Sequence, residues 1–433
     1  MALTIERVLA WEALDSRGTP TVACVVTLAG GAEGEAIVPS GASVGTHEAH
    51  ELRDGADRFA GKGTQSAVAH VNDEIAEALR GADAGDQESI DELLRTLDGT
   101  SALERLGANA VLAASVACAM AAAAGRGVPL WRDLAANEPP LLPLPMINVL
   151  SGGAHAGHCI DIQDVLVVPV GAGTFAEAIE IAAHVRRAAA EGLRARGIAT
   201  DLVADEGGLA APVGSNREAI QIVAEAIERS RMQAAIAVDV AATQLFRNGV
   251  YELAAESRSL GTLELVTELE GWCRDYPIIS LEDPLGEDDI HGWKLVSERL
   301  GDVQLIGDDL FVTSTERLAA GVADGIANAV LVKPNQIGTL SDAKRVVDLA
   351  RAEGYGTVLS ARSGETEDSW LADLAVGWRT GQLKVGSTTR SERTAKWNRL
   401  LRLEAECRDA VFAGKDALAP QVHLKTDPSV GAH

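Results

Sequence analysis

The stretch YPIISLEDP, residues 276–284, gathers Ile278, Ile279 and Leu281 into a short apolar run that stops at Glu282. A run of this length, bounded by Pro277 and Pro284, reads as a buried strand, and the carboxylate sits where strand gives way to loop. The same pattern recurs around it. AAIAVDVAA (234–242) ends its run at Asp239, VQLIGDD (303–309) at Asp308 and ANAVLVKPNQ (327–336) at Lys333. TVLSARSG (357–364) leads to Arg362, QLKVGS (382–387) carries Lys384 and TDLVADEGG (200–208) leads to Glu206. Together with DVLVVPVG (164–171) these make eight apolar runs, most followed by a helical pattern such as 174–196 or 216–230. Strand-then-helix repetition predicts an α/β fold of parallel strands closed as a (β/α)8 barrel. A doubly wound sheet is the alternative, although no GxGxxG follows an early strand.

In such a barrel the C-terminal strand ends share one face, where side chains from several strands can meet. Taken singly, each polar residue could be an ordinary strand-end group bonded to a loop. Glu206, Asp239, Glu282, Asp308, Lys333, Arg362 and Lys384 all hold equivalent places, and that predicts a single site.

The segment before the barrel has a different rhythm. Strand-like runs at 4–14, 20–30 and 34–41 precede helical patterns at 65–79, 87–97 and 108–124, which predicts an α+β unit. The Pro-rich NEPPLLPLP (137–145) sets the boundary, giving an N-terminal domain over 1–137 and a catalytic barrel over 138–433. With 38 basic and 63 acidic residues the net charge is −25, which argues against non-specific binding to nucleic acid or anionic membranes. The five cysteines are scattered without a CxxC pair and read as reduced intracellular thiols. Residues 1–18 lack the basic and apolar regions of a signal peptide. ANAVLAASVACAMAAAAG (108–125) is Ala-rich and predicts a closely packed helix rather than a membrane span. A cytoplasmic location is expected.

Three consecutive strands thus supply Asp239, Glu282 and Asp308, hard oxygen ligands that would repel one another without a cation. Mg²⁺ suits a few carboxylates plus substrate oxygens. Lys333, held near that ion and partly buried, should have a lowered pKa and could act as a general base; otherwise it simply neutralises the acidic cluster. Arg362, Ser363 and Lys384 suit a phosphate or carboxylate. The set points to abstraction of a proton α to a carboxylate, with metal charge stabilising the enolate and Glu206 protonating a leaving group. VPSGASVGTHEA (38–49) resembles a mobile lid whose Ser43 could reach a metal or phosphate. LSGGAHAGHCIDIQDVLVV (150–168) brings His155, His158, Gln163 and Asp164 to the entrance of what reads as the first barrel strand, although a histidine in a Gly-rich loop can also be structural.

DSRGTPTV, VPSGASVG, ADEGG, SLEDPLGEDD, GDDLFVT, VKPNQIGT, RSGETED and GQLKVGSTTRSERTAKWNRLLRLE resemble the enolase family, from about residue 3 to 406. The resemblance implies an N-terminal α+β capping domain, a modified barrel, a homodimer or higher homo-oligomer, and one or two Mg²⁺ ions. It also implies dehydration of 2-phosphoglycerate to phosphoenolpyruvate. Asp239, Glu282 and Asp308 match the metal ligands, Lys333 the base, Glu206 the acid and Ser43 the lid ligand of a second metal. Arg362, Ser363 and Lys384 match contacts to the substrate anion, and His155 matches an active-site histidine. Gln163, in the same motif, is implied as a further substrate contact.

The departures from the family pattern cluster. Ala361 replaces a histidine and Asp164 a glutamate that supports the acid. His158 and Ser151 stand for asparagines, Val44 for threonine and Thr243-Gln244 for Ser-Glu. Proton-abstracting machinery kept beside altered leaving-group machinery implies a specialised paralogue. Carboxyphosphonoenolpyruvate synthase of phosphinate biosynthesis, acting on a phosphorylated or phosphonylated carboxylate, is of this kind. An ordinary enolase and an inactive binding protein of the same fold are the alternatives.

Overall fold

The computed structural model describes residues 3–42, 45–55, 57–135, 138–422 and 424. Three antiparallel strands open the chain in spatial order: β1 (Ile5–Leu14), β2 (Pro20–Leu28) and β3 (Glu33–Ile37). The helical run expected over 65–79 is interrupted by a π turn at Val71–Ile75. It is followed by α1 (Gln87–Asp98) and α2 (Ala108–Arg126). Small residues let α2 lie directly on the sheet, since a Cβ on Gly34 of β3 would come within 2.0 Å of the Ala121 nitrogen. By length and composition α2 could cross a membrane, yet 83% of its apolar window is buried inside the protein.

The second unit is a closed eight-stranded barrel. Its strands are β4 (Leu144–Ser151), β5 (Asp164–Val168), β6 (Ala235–Asp239), β7 (Ile278–Glu282), β8 (Gln304–Gly307), β9 (Ala329–Val332), β10 (Gly356–Ser360) and β11 (Gly381–Gly386). Neighbours in sequence are neighbours in space, and β11 pairs with β4 to close the ring. Helices α3 (Phe175–Ala195) and α4 (Asn216–Ser230) both fall between β5 and β6. Each is capped by a side-chain hydroxyl, from Thr174 and Ser215, which satisfies a free helix N–H. Leu144, Met146, Leu166, Ala235, Ala237, Ile306, Ala329, Leu331 and Val358 fill the barrel interior.

Three expectations need correction. The first barrel strand is β4, not the run at 164–171. The prolines of 137–145 read as a linker, but Pro145 is the second residue of β4, near a strand start, where a missing N–H is tolerated. Second, the sheet is not wholly parallel, because β5 runs antiparallel to both β4 and β6. Third, the run before Glu206 is not a barrel strand. The Ala204 N–H bonds to the Gly208 carbonyl, so the chain turns there, and only Leu209–Ala210 adds a short pairing beside β4. The expected domain boundary, between residues 137 and 138, adjoins residues 136 and 137, which lie outside the described residues.

Candidate active site

Strand geometry determines which side chains face the barrel axis. Alternate residues point inward, so the interior positions Ala235 and Ala237 continue to Asp239, and Ala329 and Leu331 continue to Lys333. Gln382, buried inside against Gln304, continues to Lys384. In β5 the interior positions Val168 and Leu166 lead back to Asp164. Because this strand is reversed, its N-terminal residue reaches the face where the other strands end. Asp164 pairs with Asp239 in register.

The inward groups form a dense ionic assembly. The Lys384 ammonium donates to Asp239 Oδ2 at 2.7 Å and to both Glu282 oxygens at 2.8 Å, which uses all three of its protons. Lys333 Nζ lies 2.5 Å from Asp308 Oδ2, and Gln336 donates to Asp308 Oδ1 at 2.9 Å. Burial and the neighbouring Asp239 charge push Glu282 well above the usual carboxylate range. Burial and the Asp239 and Glu282 carboxylates act in opposite directions on Lys384; the carboxylates prevail and raise it well above an ordinary lysine. The expected lowering of the Lys333 pKa rests on a neighbouring cation, and the protein groups alone act otherwise. Burial does disfavour its ammonium, but the adjacent Asp308 outweighs burial and raises it.

A second cluster lies beside the first. His155 Nδ1 is 3.1 Å from Asp164 Oδ2, and its Nε2 is 3.9 Å from Glu206 Oε1. Asn148 donates to Glu206 Oε2 at 3.2 Å. Burial opposes the imidazolium, but the Glu206 and Asp164 carboxylates prevail and hold His155 at about 9. Burial works against ionisation of Glu206 too, yet the charges of His155, Arg393 and Lys384 lower its pKa. His155, Gln163, Glu206, Lys333, Ala361, Arg362, Ser363 and Lys384 line one small cavity. Gln163 donates to Asp239 Oδ2 at 2.9 Å. His158, by contrast, is exposed.

Arg362 and Ser363 are engaged by the N-terminal domain. The Arg362 guanidinium meets both Glu48 oxygens, at 3.0 and 3.3 Å, and Asn335 at 2.9 Å. Ser363 Oγ accepts from the Ala42 N–H at 2.6 Å and from Arg17 at 3.3 Å. Much of the RSGETED patch is therefore docking surface. Ser40 and Gly364 exchange both backbone hydrogen bonds, and Glu365 pairs with buried Lys396 at 2.8 Å. Ser43 and Val44 lie outside the described residues. Sequence reading missed Glu48, Gln336 and Asn148. Gln336 stands three residues after Lys333, a spacing that could have flagged it, whereas nothing local marks Glu48 as a partner of Arg362.

Among the described residues, two groups bring one ligand atom each within 4.8 Å of one another: His155–Asp164–Glu206 and Asp283–Asp308–Asp309. Asp283 spends its two oxygens on the Asp308 and Asp309 N–H groups, at 2.9 and 2.8 Å, and so clamps a loop. Burial and the Asp308 charge push Asp309 up to about 7. The buried oxygens of Asp239, Glu282 and Asp308 are hydrogen-bonded to the two lysines. Asp239, Glu282 and Asp308 do not form one of these close groups, although their oxygens are hard donors of the kind a divalent cation takes. Residues 5–134 match the family described as Enolase, N-terminal domain, and residues 139–421 match Enolase, C-terminal TIM barrel domain.

Proposed function

The chain belongs to the enolase family, and from that membership we propose a Mg²⁺-dependent lyase acting on a small phosphorylated or phosphonylated carboxylate. Lys333 removes the proton α to the carboxylate, and the acid group at the opposite wall, Glu206 with His155 and Asp164, serves the departing group. Asp239, Glu282 and Asp308 would hold the cation. Magnesium, when bound among these oxygens, supplies positive charge that offsets theirs and so allows Lys333 to be neutral. Arg362 and Ser363, at the seam between the N-terminal domain and the barrel, bind the substrate anion, with Lys384 and Gln163 holding the carboxylates beneath it. By family membership Ser43 is proposed as the ligand of a second cation. We further propose a cytoplasmic homodimer, divided near residue 137 into a capping domain and a catalytic barrel.

The reaction we favour is a specialised one of the carboxyphosphonoenolpyruvate synthase type, in phosphonate or phosphinate biosynthesis. One observation carries this choice: Ala361 lines the same cavity as Lys333, Glu206 and His155, so a missing side chain adjoins otherwise complete proton-abstracting machinery. The completeness of the Asp239, Glu282, Asp308 and Lys333 set supports the second reading, ordinary dehydration of 2-phosphoglycerate.

Incubation with Mg²⁺ and 2-phosphoglycerate in deuterated water tests both. Exchange of the α proton with feeble formation of phosphoenolpyruvate, abolished by Lys333→Ala, is the expected result. Rapid dehydration would overturn the specialised reading and leave an ordinary enolase. Absence of both exchange and Mg²⁺-dependent ligand binding, with phosphonylated as well as phosphorylated carboxylates, would overturn the enzyme reading itself.

A further inference from the structure

Ser151 and Asp164 face each other across the antiparallel β4–β5 pair, in register. Cross-strand partners of this kind carry their side chains on the same face of the sheet. Both residues are buried, at 1% and 0% exposure. Ser151 Oγ donates to Asp164 Oδ1 at 2.5 Å, and His155 Nδ1 lies 3.1 Å from Asp164 Oδ2. Each oxygen of the carboxylate is therefore held by a different group.

We propose that Ser151 is a positioning residue: by gripping one oxygen of Asp164 it aims the other at His155 Nδ1, and so directs His155 Nε2 into the reaction cavity. The inference rests on the enolase-family reading given above and names the device that orients the leaving-group side of that site. With Asp164 Oδ2 facing Nδ1, the Nδ1–H is directed at the carboxyl group, and Nε2, which carries a proton when the ring is charged, is the nitrogen turned to the cavity. That nitrogen is 3.9 Å from Glu206 Oε1, and the ring lines the cavity with Ala361 and Lys333.

The surrounding backbone is built to hold this arrangement. His155 arrives on a tight turn, Gly153–Ala156, entered through Gly152. A Cβ on Gly152 would lie 2.1 Å from Ile160 Cγ1 and 2.5 Å from the Ile162 carbonyl, so only glycine fits there. The Asp205 N–H bonds to the His155 carbonyl at 3.2 Å, which ties the turn to the loop bearing Glu206. A Cβ on Gly208 of that loop would sit 2.3 Å from Ser151 Oγ. The Ser151 hydroxyl thus lies between the strand that carries Asp164 and the loop that carries Glu206. A hydroxyl that merely satisfied itself could use any nearby carbonyl. This one takes the carboxylate within hydrogen-bond distance of the imidazole Nδ1.

The test uses the full-length protein with ¹⁵N-labelled histidine. A downfield Nδ1–H resonance, identified by its loss in His155→Gln, is expected in the unmodified protein. It should move upfield or vanish by exchange in Ser151→Ala and be absent in Asp164→Asn. With Mg²⁺ and whichever phosphorylated or phosphonylated carboxylate undergoes elimination, Ser151→Ala should lower kcat about tenfold and leave KM within about twofold. Exchange of the α proton, which depends on Lys333, should stay unchanged. Because Ser151 acts through Asp164, adding Ser151→Ala to Asp164→Asn should cost nothing more.

An unaltered resonance in Ser151→Ala would overturn the proposal. So would elimination and exchange falling together, or additive losses in the double variant. If the unmodified protein catalyses neither elimination nor exchange, the proposed function fails, and the resonance alone still decides the role of Ser151.

Discussion

Ala361 donates its N–H to the Lys384 carbonyl at 2.9 Å, so its backbone is bound to the strand bearing the central lysine while its methyl lines the cavity. Restoring a ring there, together with the longer acid of Asp164→Glu, should rebuild the leaving-group side. The double variant Ala361→His, Asp164→Glu is expected to raise dehydration of 2-phosphoglycerate at least about tenfold, read from phosphoenolpyruvate absorbance; no gain would place the specificity elsewhere in the cavity. His155 yields a second prediction. Its folded value of about 9 exceeds the ordinary imidazole value of about 6.5, so folding favours the protonated form. The resulting stabilisation, roughly 3 kcal/mol at most, is complete below the lower value and is lost as pH rises through the higher one. Urea midpoints should therefore fall between pH 6 and pH 9, and His155→Gln should flatten that fall.

At the scale of elements, two contacts bear most of the consequence. The reversed β5 brings its first residue to the active face; run parallel to its neighbours, it would put Asp164 at the far end of the barrel. The β3–α2 contact is equally exacting. Besides the Ala121 nitrogen at 2.0 Å, a Cβ on Gly34 would meet the Ala117 carbonyl at 2.4 Å, and backbone atoms in a helix cannot step aside. Gly34→Val is expected to destabilise the N-terminal unit by about 3 kcal/mol, seen as a lower melting temperature. An unchanged melting temperature would show that α2 can shift on the sheet. The long Ala-rich pattern at 108–124 predicted this helix and its close packing, because small residues carry both signals. The reversal of β5 had no such local mark, since a short apolar strand reads the same in either direction.

Across the whole molecule, the N-terminal domain is joined to the barrel by polar groups that the sequence does not pair. Asp91 of α1 accepts from Ser115 Oγ at 2.6 Å, from Gln87 at 2.9 Å and from the Ser341 N–H at 2.8 Å. Ser341 belongs to the helix Leu340–Ala352, which packs outside the barrel. Asp91→Ala would leave the buried Ser115 hydroxyl and Ser341 N–H without this acceptor, at a cost of about 3 kcal/mol, measurable by calorimetry. Little change would mean that water enters and replaces the carboxylate. On the same seam, Glu48 holds Arg362 across 314 residues of chain. Sedimentation at several concentrations tests the proposed homodimer, with a species of about twice the 45.2 kDa chain mass expected.

The strand-then-helix periodicity, and with it a barrel, can be read from the residues alone. The same holds for the positions of Asp239, Glu282, Asp308, Lys333 and Lys384, because residues two apart on a strand share a face and these close their runs on the inward side. Which groups those side chains meet became visible once the chain was folded. The folded structure showed Lys384 saturated by Asp239 and Glu282, Lys333 paired with Asp308, and Arg362 paired with Glu48. Side-chain partners depend on strand direction and domain docking, and their electrostatics depend on the distances that result; none of these is encoded in the local pattern of a run.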